Sequence, residues 1–125
     1  MRVGSRLLIF LLGLHAGPVL AADCGFEPFS TVAGADVTTH WRVRSGRACT
    51  LLLKVDSGVE VGDMHVAAAA AGGTATTPSL NTIRYAPRPG FTGHDRFVVE
   101  RTAESMGRRV LRGTAHWTVE VDVLP

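Results

Sequence analysis

Four of the five histidines, His40, His65, His94 and His116, lie beyond the first 22 residues and are the side chains there best suited to hold a metal ion or exchange a proton near neutral pH. No two of them stand at a tight ligand spacing such as H-x-x-x-H. Asp63 and His65, two residues apart, share a strand face and form at most a weak edge site. The histidines are read as solvated strand positions, with a zinc or copper site as the alternative. Nucleophile chemistry has less support. Ser30, Ser45, Ser57, Ser79 and Ser105 all lie outside a G-x-S-x-G setting. His94 and Asp95 are neighbours, and neighbours on a strand point to opposite faces, which rules out a relay between them. No catalytic residue, cofactor or assigned metal ligand is expected.

A second group of residues is basic. Arg101, Arg108, Arg109 and Arg112 cluster near the C-terminal end, with Glu104 among them. Such a patch could dock an acidic glycan, a phospholipid surface or an acidic protein. The plainer reading is a solvated hairpin whose charges discourage edge-to-edge pairing.

The compartment follows from the first residues. Arg2 and Arg6 precede an apolar core, Leu7 to Leu14, which Gly17-Pro18 breaks before the small residues of "VLAA". This is the layout of a secretory signal peptide spanning residues 1–22, with cleavage after Ala21 or Ala22. The apolar run is shorter than the roughly 20 residues that span a bilayer. No transmembrane segment is expected in the mature chain, and Asp23 before Cys24 disfavours lipidation. The 13 basic residues against 11 acidic become 11 against 11 once Arg2 and Arg6 are removed. Net neutrality argues against a nucleic-acid partner. In an exported protein the two cysteines, Cys24 and Cys49, read as one disulfide.

The elements that must position these residues are strands. In Val37 to Arg44, Val37, Thr39, Trp41 and Val43 share one face, while Thr38, His40, Arg42 and Arg44 share the other. Cys49 to Asp56 alternates likewise, as does Thr114 to Val123, where Ala115, Trp117, Val119, Val121 and Val123 face inward. Val59 to Ala71, Leu80 to Pro87 and Asp95 to Arg101 read as further strands. The segment Ala103 to Gly107 reads as the link to the last one. No stretch after the signal has amphipathic helix periodicity. The fold class is all-β, an antiparallel sandwich of about seven strands.

"YAPRPGFTGHDRF", Tyr85 to Phe97, is read as a structural corner. Pro87 and Pro89 end pairing. Gly90 and Gly93 admit backbone angles closed to other residues. Phe91 tucks into the end of the core, and Asp95 accepts hydrogen bonds from nearby turn amides. Replacing Asp95 by Ala is expected to cost about 1–3 kcal/mol. The pattern Y-x-P-x-x-G-F-x-G-x-D-x-F, carried by Tyr85, Pro87, Gly90, Phe91, Gly93, Asp95 and Phe97, resembles the bacterial Ig-like, cadherin-like domains repeated in large surface and adhesion proteins. "GGTATTPSLNTIRYAP" upstream resembles that family's small and polar strand, turn and strand. "GTAHWTVEVDV" resembles its last strand. The resemblance spans roughly Gly73 to Val123 and implies an Ig-like β-sandwich with Greek-key connections over residues 23–125. The clustered acidic linkers that hold calcium between cadherin repeats are not in this sequence, which carries a single copy of the pattern. The expected role is an exported, non-catalytic binding module of the bacterial cell envelope, periplasmic or at the cell surface, whose partner is an envelope protein or a glycan. The alternative is a periplasmic metal-binding protein using the surface histidines.

Overall fold

A computed structural model describes residues 22–54, 58–105 and 111–125. Arg108, Arg109 and all but the last residue of the predicted signal peptide lie outside the described residues. The described chain is all-β. Eight strands run in the order β1 (Cys24–Phe26), β2 (Val37–Arg44), β3 (Cys49–Leu52), β4 (Val59–Ala68), β5 (Gly73–Ser79), β6 (Thr82–Pro87), β7 (Gly93–Ser105) and β8 (Leu111–Leu124). They form two sheets, β1-β2-β8-β7-β4 and β3-β6-β5. The chain changes sheet between β2 and β3, β3 and β4, β4 and β5, and β6 and β7. The pairs β5–β6 and β7–β8 are adjacent antiparallel neighbours. Among the described residues no helix is long and apolar enough to cross a membrane.

The expected seven antiparallel strands need two corrections. A three-residue strand, β1, precedes the others and pairs with β2. It is too short to show alternation in sequence. The second correction concerns β2, which pairs with β8 in parallel, Val37 opposite Trp117 through Arg44 opposite Leu124. After β2 the chain crosses to the other sheet instead of turning back, so β2 lies alongside the far end of the chain. Boundaries shift as well. β4 ends at Ala68, and the remaining alanines lead into the crossover to β5. β7 continues through Ala103 to Ser105, where a link was expected, which makes β7 and β8 a long hairpin. The Pro78-containing β5 is tolerated because it lies at a sheet edge, where its ladder is already irregular between Thr76 and Ser79.

The core sits between the sheets. Trp41, Val43, Cys49, Ile83, Tyr85, Phe97, Val99, Trp117, Val119 and Val121 are fully buried. Alternation produces this: every second residue of β2, β7 and β8 faces the three-stranded sheet. Phe97 stacks on Tyr85 with ring centroids 5.7 Å apart and meets Trp41 edge-on at 5.6 Å. The disulfide Cys24–Cys49 ties β1 at the edge of one sheet to β3 at the edge of the other.

At the corner, Asp95 points inward from the start of β7. Its Oδ1 accepts hydrogen bonds from the amides of Ala71 and Arg96, at 3.0 and 2.9 Å. Its Oδ2 accepts the Gly72 amide at 3.0 Å and the Tyr85 hydroxyl at 2.6 Å. Only Arg96 is a local amide. Ala71 and Gly72 belong to the β4–β5 crossover, so the carboxylate fastens one sheet to the chain entering the other. Gly90 and Gly93 have φ of 77° and 119°. The Phe91 ring packs so closely on Gly72 that a Cβ there would overlap it.

Candidate functional site

The same alternation that buries the tryptophans sends the four histidines among the described residues to the outer face of the five-stranded sheet. Register then decides their neighbours. His40 on β2 lies beside Glu120 on β8, which lies beside Arg96 on β7. One row along, Arg42, Asp122 and His94 are cross-strand partners. Further along the face, His116 on β8, Glu100 on β7 and His65 on β4 form a third row. Acids and bases thus alternate across strands, the arrangement that favours pairing.

Ion pairs form on this face, some along the rows and others with residues outside them. His40 Nδ1 is 2.9 Å from Glu27 Oε2. His94 lies between two carboxylates, with Nε2 2.6 Å from Glu120 and Nδ1 3.3 Å from Asp122. Arg96 Nε takes the second oxygen of Glu120 at 3.4 Å. His116 Nδ1 is 3.0 Å from Asp36, whose Oδ1 also accepts the His116 amide. These two hydrogen bonds hold the Asp36 carboxyl below its ordinary range. His65 Nδ1 is 2.7 Å from Asp63, the pair foreseen from their two-residue spacing.

An imidazole that faces a carboxylate at each nitrogen can donate to both only when doubly protonated. Hydrogen bonds to Asp122 and then Glu120 accordingly raise the His94 pKa above its usual value. A raised folded pKa stabilises the fold fully below the unfolded value, about 6.5, and that contribution is lost as pH rises through the folded value. The His94 ring protons are therefore expected to titrate by NMR with a midpoint above about 6.5, and Asp122→Asn should lower it. A parent midpoint at or below that value would contradict the pairing.

Beside this row, Glu60, Gly62, Thr102, Glu104, Arg112 and Thr114 line a shallow groove on the same face. Arg112 pairs with Glu104 at 3.3 Å. The expected basic docking patch is corrected at Arg101, which is not on this surface. Arg101 shares its side of β7 with Phe97 and Val99 and is buried. Its guanidinium lies 4.7 Å from the Trp117 ring centre, and Nη2 donates to the Thr31 carbonyl. Burial pushes the Arg101 pKa down. Odd-numbered positions of this strand face inward, and that parity was the available signal.

Compared with known proteins, the chain matches no family model and no curated protein. Among the described residues, no three His, Cys, Asp or Glu side chains converge as they stand to hold a metal ion.

Proposed function

We propose that this chain is an exported, non-catalytic Ig-like module of a bacterial cell envelope, and that it binds an envelope protein through the outer face of its five-stranded sheet. The observation that carries the reading is the ionic lattice on that face, in which His94, Arg96, Glu120 and Asp122 hold one another across β7 and β8. Side chains already held in pairs lose less freedom on docking than solvated lysines would, and fixed alternating charges select a complementary partner. The disulfide accords with an oxidising compartment. The repeated passage of the chain between sheets, with β3-β6-β5 packed on β2-β8-β7-β4, supports the Ig-like, Greek-key reading.

In-cell crosslinking and pull-down of a tagged full chain tests this. One dominant protein is expected with the parent, with recovery falling at least about tenfold for Arg96→Glu, which reverses a charge on the face. Capture of glycan alone, or a variant that retains the partner fully, would overturn the reading.

A further inference from the structure

The two sheets have four edge strands, β1 and β4 on one and β3 and β5 on the other. An open edge is a row of unpaired amides and carbonyls, and three of the four edges are blunted. β1 has only three residues. β4 carries charges at Glu60 and Asp63 and bulges twice, between Val61 and Asp63 and between Val66 and Ala68. β5 contains Pro78 and loses register after Thr76, and its Thr77 hydroxyl donates to the Met64 carbonyl of β4 at 3.1 Å. β3 is regular, with no charge, proline or bulge. Along its ladder with β6, residues that exchange hydrogen bonds alternate with residues that do not. The Leu53 amide donates to the Asn81 carbonyl at 2.7 Å, in register with that ladder, which places Leu53, Leu51 and Cys49 in the bonded set. The amides and carbonyls of Thr50 and Leu52 therefore point away from β6, to the side where β3 has no strand neighbour among the described residues.

A groove of about 300 Å³ lies along this edge, with Phe26, Phe29 and Thr31 on one wall and Leu51, Leu53 and Lys54 on the other. That volume is at the small end for a cofactor or other compact ligand. An apolar groove beside an open backbone ladder suits an extended polypeptide, whose main chain pairs with the edge while every second side chain enters the groove. We propose that an extended segment of a partner protein adds to β3 as a fourth strand of its sheet. The segment places apolar side chains at alternate positions against Phe26, Phe29 and Leu51. On the other side of the added strand, Leu52 is 69% exposed and offers an apolar neighbour, and exposed Lys54 offers a positive charge to an acidic residue. A second copy of this chain fits poorly. Its own β3 already packs Leu51 and Leu53 against its own core, which leaves no side chains to fill the groove.

The test begins with selection of random display peptides of about eight residues, enough for one strand and its flanks, on the disulfide-intact chain expressed from its full sequence. Selected peptides are expected to alternate apolar with polar residues and to carry an acid. A synthetic copy of one should slow hydrogen exchange at the Thr50 and Leu52 amides. N-methylation of alternate residues in one frame of that peptide should weaken binding at least about tenfold, while the other frame binds like the parent peptide. Leu52→Pro removes an edge amide and no β3–β6 bond, and it should weaken binding at least about tenfold. The melt reports whether that variant is folded, and the methylation frames do not depend on it. Failure to select any peptide, unchanged exchange at Thr50 and Leu52, or equal loss in both frames would overturn the proposal. So would protection of the same amides by self-association without peptide.

Discussion

Asp95→Ala is expected to destabilise the domain by about 3–5 kcal/mol, above the range that sequence alone suggests. The side chain is nearly inaccessible and each oxygen accepts two hydrogen bonds. Removing it strands three amides and the Tyr85 hydroxyl at the junction of the sheets, and unpaired buried donors carry the full cost of desolvation. For a domain of about 100 residues, each 1 kcal/mol lowers the melting temperature by about 4–8 °C, so a fall of at least about 12 °C should appear in a thermal melt. The pH dependence has a definite sign. Burial alone would raise the Asp95 pKa, but the bonds from Tyr85, Arg96, Gly72 and Ala71 outweigh it and the net shift is downward. Burial, together with the same contact, raises the Tyr85 hydroxyl. A depressed carboxyl stabilises the fold above its unfolded value, about 3.9, and the contribution disappears as pH falls through the folded value. The parent should therefore lose stability in acid more steeply than Asp95→Asn. A variant melting within 2–3 °C of the parent (about half a kcal/mol) would show that the carboxylate does not fasten the sheets.

Loss of the disulfide is the second large effect. Cys24 and Cys49 are 25 residues apart, and closing a loop of that length contributes about 3 kcal/mol in the chain-entropy account. The structure adds a local consequence. β1 has three residues and pairs only with β2, so without the bridge little keeps it in place. Phe26, on β1, covers Trp41 edge-on at 4.7 Å. Cys24→Ser with Cys49→Ser should lower the melting temperature by about 12 °C or more and make Trp41, inaccessible in the native fold, open to iodide quenching. If the double variant melts like the parent and quenching is unchanged, β1 is held by something other than the bridge.

How far the sequence revealed this molecule depended on whether the deciding interaction was local. Alternation in Val37 to Arg44 predicted β2 residue for residue and placed Trp41 inside and His40 outside. The same logic placed Trp117 and the valines of β8. Pairing across distance was not legible. Nothing in β2 announces that its neighbour is the C-terminal strand, or that the two run parallel. Asp95 was recognised as a corner residue, but two of its three amide partners lie 23 and 24 residues earlier. Arg101 was misplaced because its charge outweighed its parity, although it alternates with Phe97 and Val99. The histidines were correctly placed on the outer face of the strands. Their pairing into rows required the register of β4, β7 and β8, which brings His65, Glu100 and His116 side by side from three separate segments.

The most direct test of the claim that the outer face of the five-stranded sheet is the working surface is site-specific photocrosslinking in cells. A photoreactive residue is placed at Thr118, between the Glu120 and His116 rows on β8, or at Thr76 on the exposed side of β5 in the other sheet. The account predicts one discrete protein adduct from Thr118 and none from Thr76. An adduct from Thr76 alone, or none from Thr118, would contradict it.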